Sequence, residues 1–302
     1  MTECERLINE GKFSEDFLKE EVRNDFLVDR ERKKLWMLSL DLLFQFEKVC
    51  KKYGFQYFLC GGSMLGAIRH KGFIPWDDDL DVFLFRDDYE KFLKLGNEFN
   101  DPYFLQTPDT DPGYFYTMAK IRNSRTTMLV DEFKYQKFNQ GIWLSVFPLD
   151  HWKIEGCETI RDRINELVLD NSTYMRISNP ELDEKNRKRV ANYSGRDPME
   201  VNREIHSLGS QFNNEETGYL ALSTNTRYPL RCLVYPSSVF SSVIMADFEG
   251  YKLPIPVGYD TYLKTAYGNY MEFPPVEKRG AWHNFKIDCD RPYTDYLCIN
   301  NN

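Results

Sequence analysis

Residues 61–85, Gly61-Gly62-Ser63-Met64-Leu65-Gly66-Ala67-Ile68-Arg69-His70-Lys71-Gly72-Phe73-Ile74-Pro75-Trp76-Asp77-Asp78-Asp79-Leu80-Asp81-Val82-Phe83-Leu84-Phe85, decide the fold. The apolar run 55–60 before them reads as a short buried strand, and Gly61, Gly62 and Ser63 form a turn opening a helix through Arg69. Residues 80–85 read as a second apolar strand. A strand, a glycine turn, a helix and a second strand with acids at its entrance are the parts of an α/β fold. Strand periodicity puts Asp77, Asp79 and Asp81 on one face and Asp78 on the other.

Outward from this segment, Leu35, Leu38, Leu42, Leu43, Phe46 and Val49 recur at spacings of mostly three and four, which predicts an amphipathic helix over residues 31–52 ended by Gly54. Downstream, Asp87 is placed to cap a helix running to about Phe99. Further strands are expected at 103–106, 116–121, 126–130 and 142–147, each bounded by Gly, Pro, Asn or Asp. Residues 153–216 turn polar and helix-prone, and 218–288 recover apolar and aromatic character, punctuated by Pro254, Pro256, Pro274 and Pro275. The expected fold class is therefore α/β with a mixed sheet. Its divisions are an N-terminal extension (1–30), a core (31–152), a helical insertion or subdomain (153–216) and a C-terminal part packing on the core (217–302).

With 302 residues, 42% hydrophobic and 28% charged, the chain is long and apolar enough to bury a substantial interior. Its net charge of -8 argues against nucleic-acid binding, which needs a basic surface to neutralise phosphates. The seven cysteines, Cys4, Cys50, Cys60, Cys157, Cys232, Cys289 and Cys298, are scattered singly without zinc-ligand spacing and read as reduced thiols of a cytoplasmic protein. The N-terminus lacks the basic start and apolar run of a secretory signal, and the apolar stretch 35–46 is too short to span a bilayer, so a membrane-linked substrate would be met peripherally.

Three carboxylates on one face repel unless solvent or a cation intervenes, and an oxygen-rich carboxylate site suits Mg²⁺ or Mn²⁺. A solvated acidic loop is the plain alternative, but the flanking runs 73–76 and 82–85 imply partial burial. Asp79 and Asp81 are the expected direct ligands, with Asp77 a ligand or its supporting neighbour. The Gly61-Gly62-Ser63 turn would let backbone N–H groups approach an anion at a helix N-terminus; alone it would be only a tight strand-to-helix turn. Arg69, His70 and Lys71 lie between the two elements and are placed either to contact phosphates or to form a solvated basic turn.

The run from Gly61 to Asp81 resembles the signature of the LicD family. The likeness continues through Lys120-Ile121-Arg122-Asn123, through Gly141-Ile142-Trp143-Leu144-Ser145-Val146-Phe147-Pro148-Leu149-Asp150, and into Phe248-Glu249-Gly250 and the stretch 267–275. It implies a nucleotidyltransferase-like core and a transferase that moves a phosphoalcohol such as phosphocholine from a CDP-activated donor to a surface glycan, for example a polysaccharide or teichoic acid. Fukutin-type enzymes using CDP-ribitol are distant relatives. By that likeness Gly62, Ser63, Asp79 and Asp81 take the phosphate and metal roles, Lys120 and Arg122 fall among the substrate-binding residues, and Lys278, Arg279 and His283 occupy a block that binds phosphate or closes over the site, with a solvated tail as the alternative.

One departure matters. Where the family pattern carries an Asp, this chain has Ser145, which replaces a carboxylate neither as base nor as anionic ligand at neutral pH. Asp150 or Asp77 then supplies the missing charge, or the base is weakened, or catalysis is lost. The competing functions are nucleotidyl transfer from an NTP and noncatalytic binding of a nucleotide or glycan. A quaternary ammonium substrate would be held by an aromatic cage; Tyr114, Phe115, Tyr116, Trp143 and Trp152 are near the acids in sequence, with core packing as their ordinary role.

Overall fold

A computed structural model describes residues 1–280 and 285–298. In chain order its elements are α1 (Glu3–Asn9), β1 (Glu21–Arg23), β2 (Phe26–Val28), α2 (Arg30–Tyr53), β3 (Tyr57–Leu59), α3 (Gly61–Arg69), β4 (Leu80–Phe85), α4 (Arg86–Phe92), β5 (Tyr103–Gln106), β6 (Ala119–Asn123), β7 (Thr127–Val130) and β8 (Ile142–His151). There follow α5 (Glu158–Tyr174), α6 (Glu184–Ala191), α7 (Pro198–Ser210), β9 (Tyr219–Ala221), β10 (Val234–Pro236), β11 (Val243–Phe248), β12 (Tyr251–Pro256), α8 (Tyr259–Tyr267) and β13 (Phe285–Asp288). The fold is α/β, built on a mixed sheet.

The predicted helix 31–52 is α2. Asp29 caps it through its side chain to the Arg32 N–H, and Gly54 ends it in the left-handed conformation that glycine adopts without strain. Trp36, Met37, Leu38, Leu40, Leu42, Leu43 and Phe46 are wholly buried along it. The face is wider than a surface helix needs, because the main core surrounds it.

The central strand is β8. It pairs in parallel with β4, setting Asp81 opposite Ser145, and on its other edge antiparallel first with β6 (Lys120 opposite Ser145) and then with β9 (Asp150 opposite Ala221). Beyond β4 lies antiparallel β3, and β5 and β10 extend the sheet past β6 and β9. Hairpins β1–β2 and β11–β12 and the pair β7–β13 lie off the main sheet.

Several boundaries differ from expectation for identifiable reasons. Strand β8 runs to His151 rather than Phe147, straight through Pro148. Its pairing with β6 ends at Val146 and that with β9 begins at Asp150, so the proline falls in a gap where that edge demands no donor. Helix α4 follows β4 directly, so Phe85 is its cap, and Asp87 sits instead in the first turn, where a carboxylate complements the helix dipole. The helix ends at Phe92, not Phe99, and a short 3₁₀ turn follows at Gly96–Glu98. Strand β6 starts at Ala119 rather than 116, its register fixed by β8.

Residues 158–210 hold three helices. Ile164 and Leu167 of α5 and Val201 and Ile205 of α7 share a small apolar cluster with Trp152 and Ala221, distinct from the main core. A third cluster joins Tyr114, Phe115, Phe133, Phe138 and Met175.

Candidate active site

The glycine turn and the acidic strand are fastened to each other. Ser63 Oγ accepts the Asp81 N–H at 2.9 Å, and the Cys60 N–H donates to the Asp81 carbonyl at 3.0 Å. Gly61 has a positive φ of 52° and donates its N–H to Tyr262 Oη at 3.0 Å. At Gly62 a Cβ would stand 2.4 Å from Asp77 Oδ2, so any side chain there would displace that carboxylate. The start of α3 is thus held against the carboxylates, and the positive end of its backbone faces them.

Asp81 is the second residue of β4, whereas Asp77 and Asp79 lie in the loop before it. All three line one cavity of about 570 Å³ together with Gly62, Arg69, Trp76, Arg227 and Tyr267. Asp78 points elsewhere. It is 2% exposed and accepts a bond from Arg32, which also donates to the Asp77 carbonyl at 2.9 Å, so α2 braces the loop from behind.

Burial, then the charges of Asp79 and Asp78, pushes the Asp77 carboxyl up to about 8. Burial likewise raises Asp79, opposed by the nearby Lys120 ammonium. Asp81 is raised well above its ordinary value, by burial and then by Asp79 and Asp77, although a hydrogen bond from Ser145 opposes the shift. Asp79 thus makes both Asp77 and Asp81 harder to ionise, and Asp77 does the same to Asp81.

Across three neighbouring strands Asp81, Ser145 and Lys120 stand side by side. The Lys120 ammonium lies 3.5 Å from the Trp143 ring centroid. Its proton affinity is well below normal through burial and the Arg122 charge, with Asp79 and Asp81 pulling the other way.

Hard oxygen donors are the correct chemistry for a divalent cation of the magnesium type. Among the described residues no three His, Cys, Asp or Glu side chains stand close enough to form a finished metal cage.

Other predicted residues fall in different places. Arg69 lines the cavity, but its guanidinium is engaged by the carbonyls of Tyr270 and Glu272, at 2.8 and 3.0 Å, and lies over the Phe273 ring. His70 accepts from Arg69 and meets Asn24 through its other nitrogen, and burial followed by the Arg69 charge lowers it to about 4, so it is neutral at pH 7. Lys71 is an exposed residue with a φ of 58°. Arg122 is buried and donates to Gln106 and to the Gly141 carbonyl, both at 2.7 Å.

Asp150, expected to supply charge at the site, does not line this cavity. It is wholly buried and grips Arg86 through both oxygens, at 2.7 and 2.8 Å, and also accepts from Asn213 and Ser223. Five residues beyond Ser145, it lies on the opposite face of β8. His283 lies outside the described residues. Arg279 is described, and its guanidinium sits 5.2 Å from the Trp76 ring and 5.4 Å from Phe273.

The rings at the cavity are Trp76, Tyr228, Tyr267, Tyr270 and Phe273, whereas Tyr114, Phe115, Trp143 and Trp152 are core. Arg227 and Tyr228 gave no sequence signal: they sit in a loop without a motif, and only the folding of residues 222–233 back toward β4 brings them to the acids.

The glycine-turned helix fastened to an acid-bearing strand is matched by comparison. Residues 54–153 fit the family model LicD/FKTN/FKRP, nucleotidyltransferase domain. The chain carries a LicD-family domain. Lipopolysaccharide cholinephosphotransferase LicD of Haemophilus influenzae is 29% identical over 265 residues, covering 82% of this chain and 94% of that protein. Two uncharacterized rickettsial proteins show shorter matches. That of Rickettsia typhi is 29% identical over 79 residues, 26% of this chain and 24% of its own, and that of Rickettsia prowazekii 32% over 69 residues, 23% and 24%. Among the described residues of this LicD-domain protein, no helix is long and apolar enough to cross a membrane.

Proposed function

We propose that the protein is a divalent-metal-dependent transferase that moves a phosphoalcohol of the phosphocholine type from a CDP-activated donor to a hydroxyl of a glycan. The observation that carries this reading is the set of three mutually repelling carboxylates on one cavity wall, fastened to a glycine-opened helix. The likeness to a cholinephosphotransferase over 82% of the chain supports the substrate class. Asp79 and Asp81 would hold Mg²⁺ or Mn²⁺, with Asp77 beside them, and the ion would offset phosphate charge as it builds during transfer.

The chain's own residues do the rest. The Gly61–Ser63 turn presents the positive end of α3 to the donor's phosphates. The acceptor oxygen attacks the β-phosphorus, the bond from that phosphorus to the bridging oxygen breaks, and CMP leaves with the bond's electrons. The acceptor's proton passes to a carboxylate of the cluster, and Asp77, on the same cavity wall as Asp79 and Asp81, is placed for this role. Positioning and charge stabilisation supply most of the acceleration. Titration calorimetry with CDP-choline tests the reading: binding should need Mg²⁺ and weaken at least about tenfold in Asp79→Ala. Metal-independent binding indifferent to that substitution would sink it.

A second reading, a binder with weakened catalysis, is favoured by one observation: Ser145 occupies the position across from Asp81 and beside Lys120, where it donates a hydrogen bond but carries no charge. Under this reading Ser145→Asp creates turnover of CDP-choline where the parent has none. Clear release of CMP by the parent excludes it.

A further inference from the structure

We infer that a small aromatic chamber beside the acidic cavity is the subsite for the donor's quaternary ammonium group, and that it selects choline over a primary amine. The inference rests on the CDP-donor reading above and adds to it the place where the transferred group is recognised. The chamber holds about 130 Å³ and adjoins the larger cavity of about 570 Å³, with Gly62, Asp81, Tyr228, Ala266 and Tyr267 forming walls of both. A donor whose β-phosphate lies at Asp81 thus has two spaces to fill. Only an oxygen and two carbons separate the β-phosphorus from the nitrogen of choline, so the headgroup ends beside Asp81, where the chamber opens. The bulkier nucleoside is left to the larger cavity.

The lining of the chamber suits that headgroup. It includes the rings of Phe147, Tyr228, Tyr235, Tyr262 and Tyr267. Tyr235 and Tyr262 are stacked with centroids 4.4 Å apart, and Phe240 packs edge-on against both. Tyr235 Oη donates to the Cys232 carbonyl at 2.8 Å, and Tyr262 Oη accepts the Gly61 N–H at 3.0 Å, so what these two offer a ligand is ring surface. A quaternary ammonium donates no hydrogen bond and is drawn to aromatic faces, whereas a primary ammonium leaving water needs acceptors. Asn225 Oδ1, on the same wall, already accepts the Arg227 N–H at 3.0 Å. Among the described residues no basic side chain lines the chamber, which argues against a phosphate there. The 223–228 loop, which supplies Asn225 and Tyr228, is held from α5, where Arg161, 6% exposed, donates to the carbonyls of Ser223, Asn225 and Tyr228. Ser223 also donates to the Asp150 carboxylate. A wall fixed in this way keeps its shape before a ligand arrives, which lowers the ordering cost of binding.

The test compares the calorimetric affinities of CDP-choline and CDP-ethanolamine, each with Mg²⁺, for the full chain, for Cys232→Phe and for Tyr228→Leu. Cys232 lines the chamber and is half-buried, so a phenyl ring there fills the space from its edge. Tyr228 is 47% exposed, so its replacement removes a ring without opening the core. The parent should prefer CDP-choline at least about tenfold, Cys232→Phe should abolish the preference, and Tyr228→Leu should reduce it at least about threefold. Should Cys232→Phe fail to fold, the preference in Tyr228→Leu decides. If the parent binds the nucleotides without preferring CDP-choline, or if either folded variant keeps the parent's preference, the chamber assignment is wrong and the transferase reading stands. If the parent binds neither nucleotide with Mg²⁺, both are overturned.

Discussion

Asp150 on β8 and the acids at the entrance of β4 differ in who balances their charge. Asp150 is balanced internally: Arg86 meets both its oxygens, Asn213 and Ser223 fill the remaining acceptor sites, and Arg86 in turn reaches Glu90 and His206. Asp77, Asp79 and Asp81 line one cavity wall, where burial and neighbouring carboxylates raise them and Lys120, Ser145, Arg32 and Arg227 act the other way. The first group joins β8 and α4 to the segment after α7 and to the 223–228 loop. The second remains costly to ionise. A carboxylate's role is set by its partners, and sequence spacing reports only half of them.

The largest expected contrast is in folding stability. Asp150→Ala strands the buried Arg86 guanidinium and should cost about 3–5 kcal/mol, read from the shift in urea midpoint. Asp79→Ala should leave that midpoint unchanged or raise it, because it removes a repelling charge. Equal losses in the two variants would erase the distinction.

A smaller effect appears with pH, and its sign differs between the regions. Asp77 is raised to about 8 in the folded chain from an ordinary 3.8, so between those values the folded state binds more protons and metal-free stability falls as pH rises. The drop from pH 6 to 8 should be roughly 2 kcal/mol and should flatten in Asp77→Asn. His206, on the Arg86 side, is lowered to about 3 from 6.5 by burial and the Arg86 charge. There the unfolded state binds more protons, so the histidine's contribution is complete above 6.5 and is lost as pH falls toward 3. Acidification from pH 6.5 to 5 should cost about 1–2 kcal/mol through this group, and less in His206→Gln. Matching slopes in parent and variants would show that neither group governs the profile.

Much of this was legible in the chain because it is local. The 3.6-residue pattern of α2, the apolar run of β4 and the glycines that open α3 are short-range signals, and Asp77, Asp79 and Asp81 share one wall with Asp78 turned away. Asp150 illustrates the opposite case. Its partner Arg86 is 64 positions away and Ser223 another 73, so nothing beside it announces an ion pair. Arg69 looked like a phosphate ligand because the carbonyls that hold it come from residues 270 and 272. The rings of the cavity were missed for the same reason. Those near the acids in sequence serve the core, and those near them in space come mostly from the last third of the chain.

The family match spans residues 54–153, yet the helix bracing the Asp77–Asp78 loop precedes that span and Arg227, Tyr267 and Phe273 follow it. Anyone trimming this protein to its recognisable segment for crystallisation or library work would keep the acids and discard their enclosure. The smallest useful fragment must run from Asp29 past Phe273. The three helices between β8 and β9 belong inside it, since deleting α5 removes the guanidinium on which the 223–228 turn is hung.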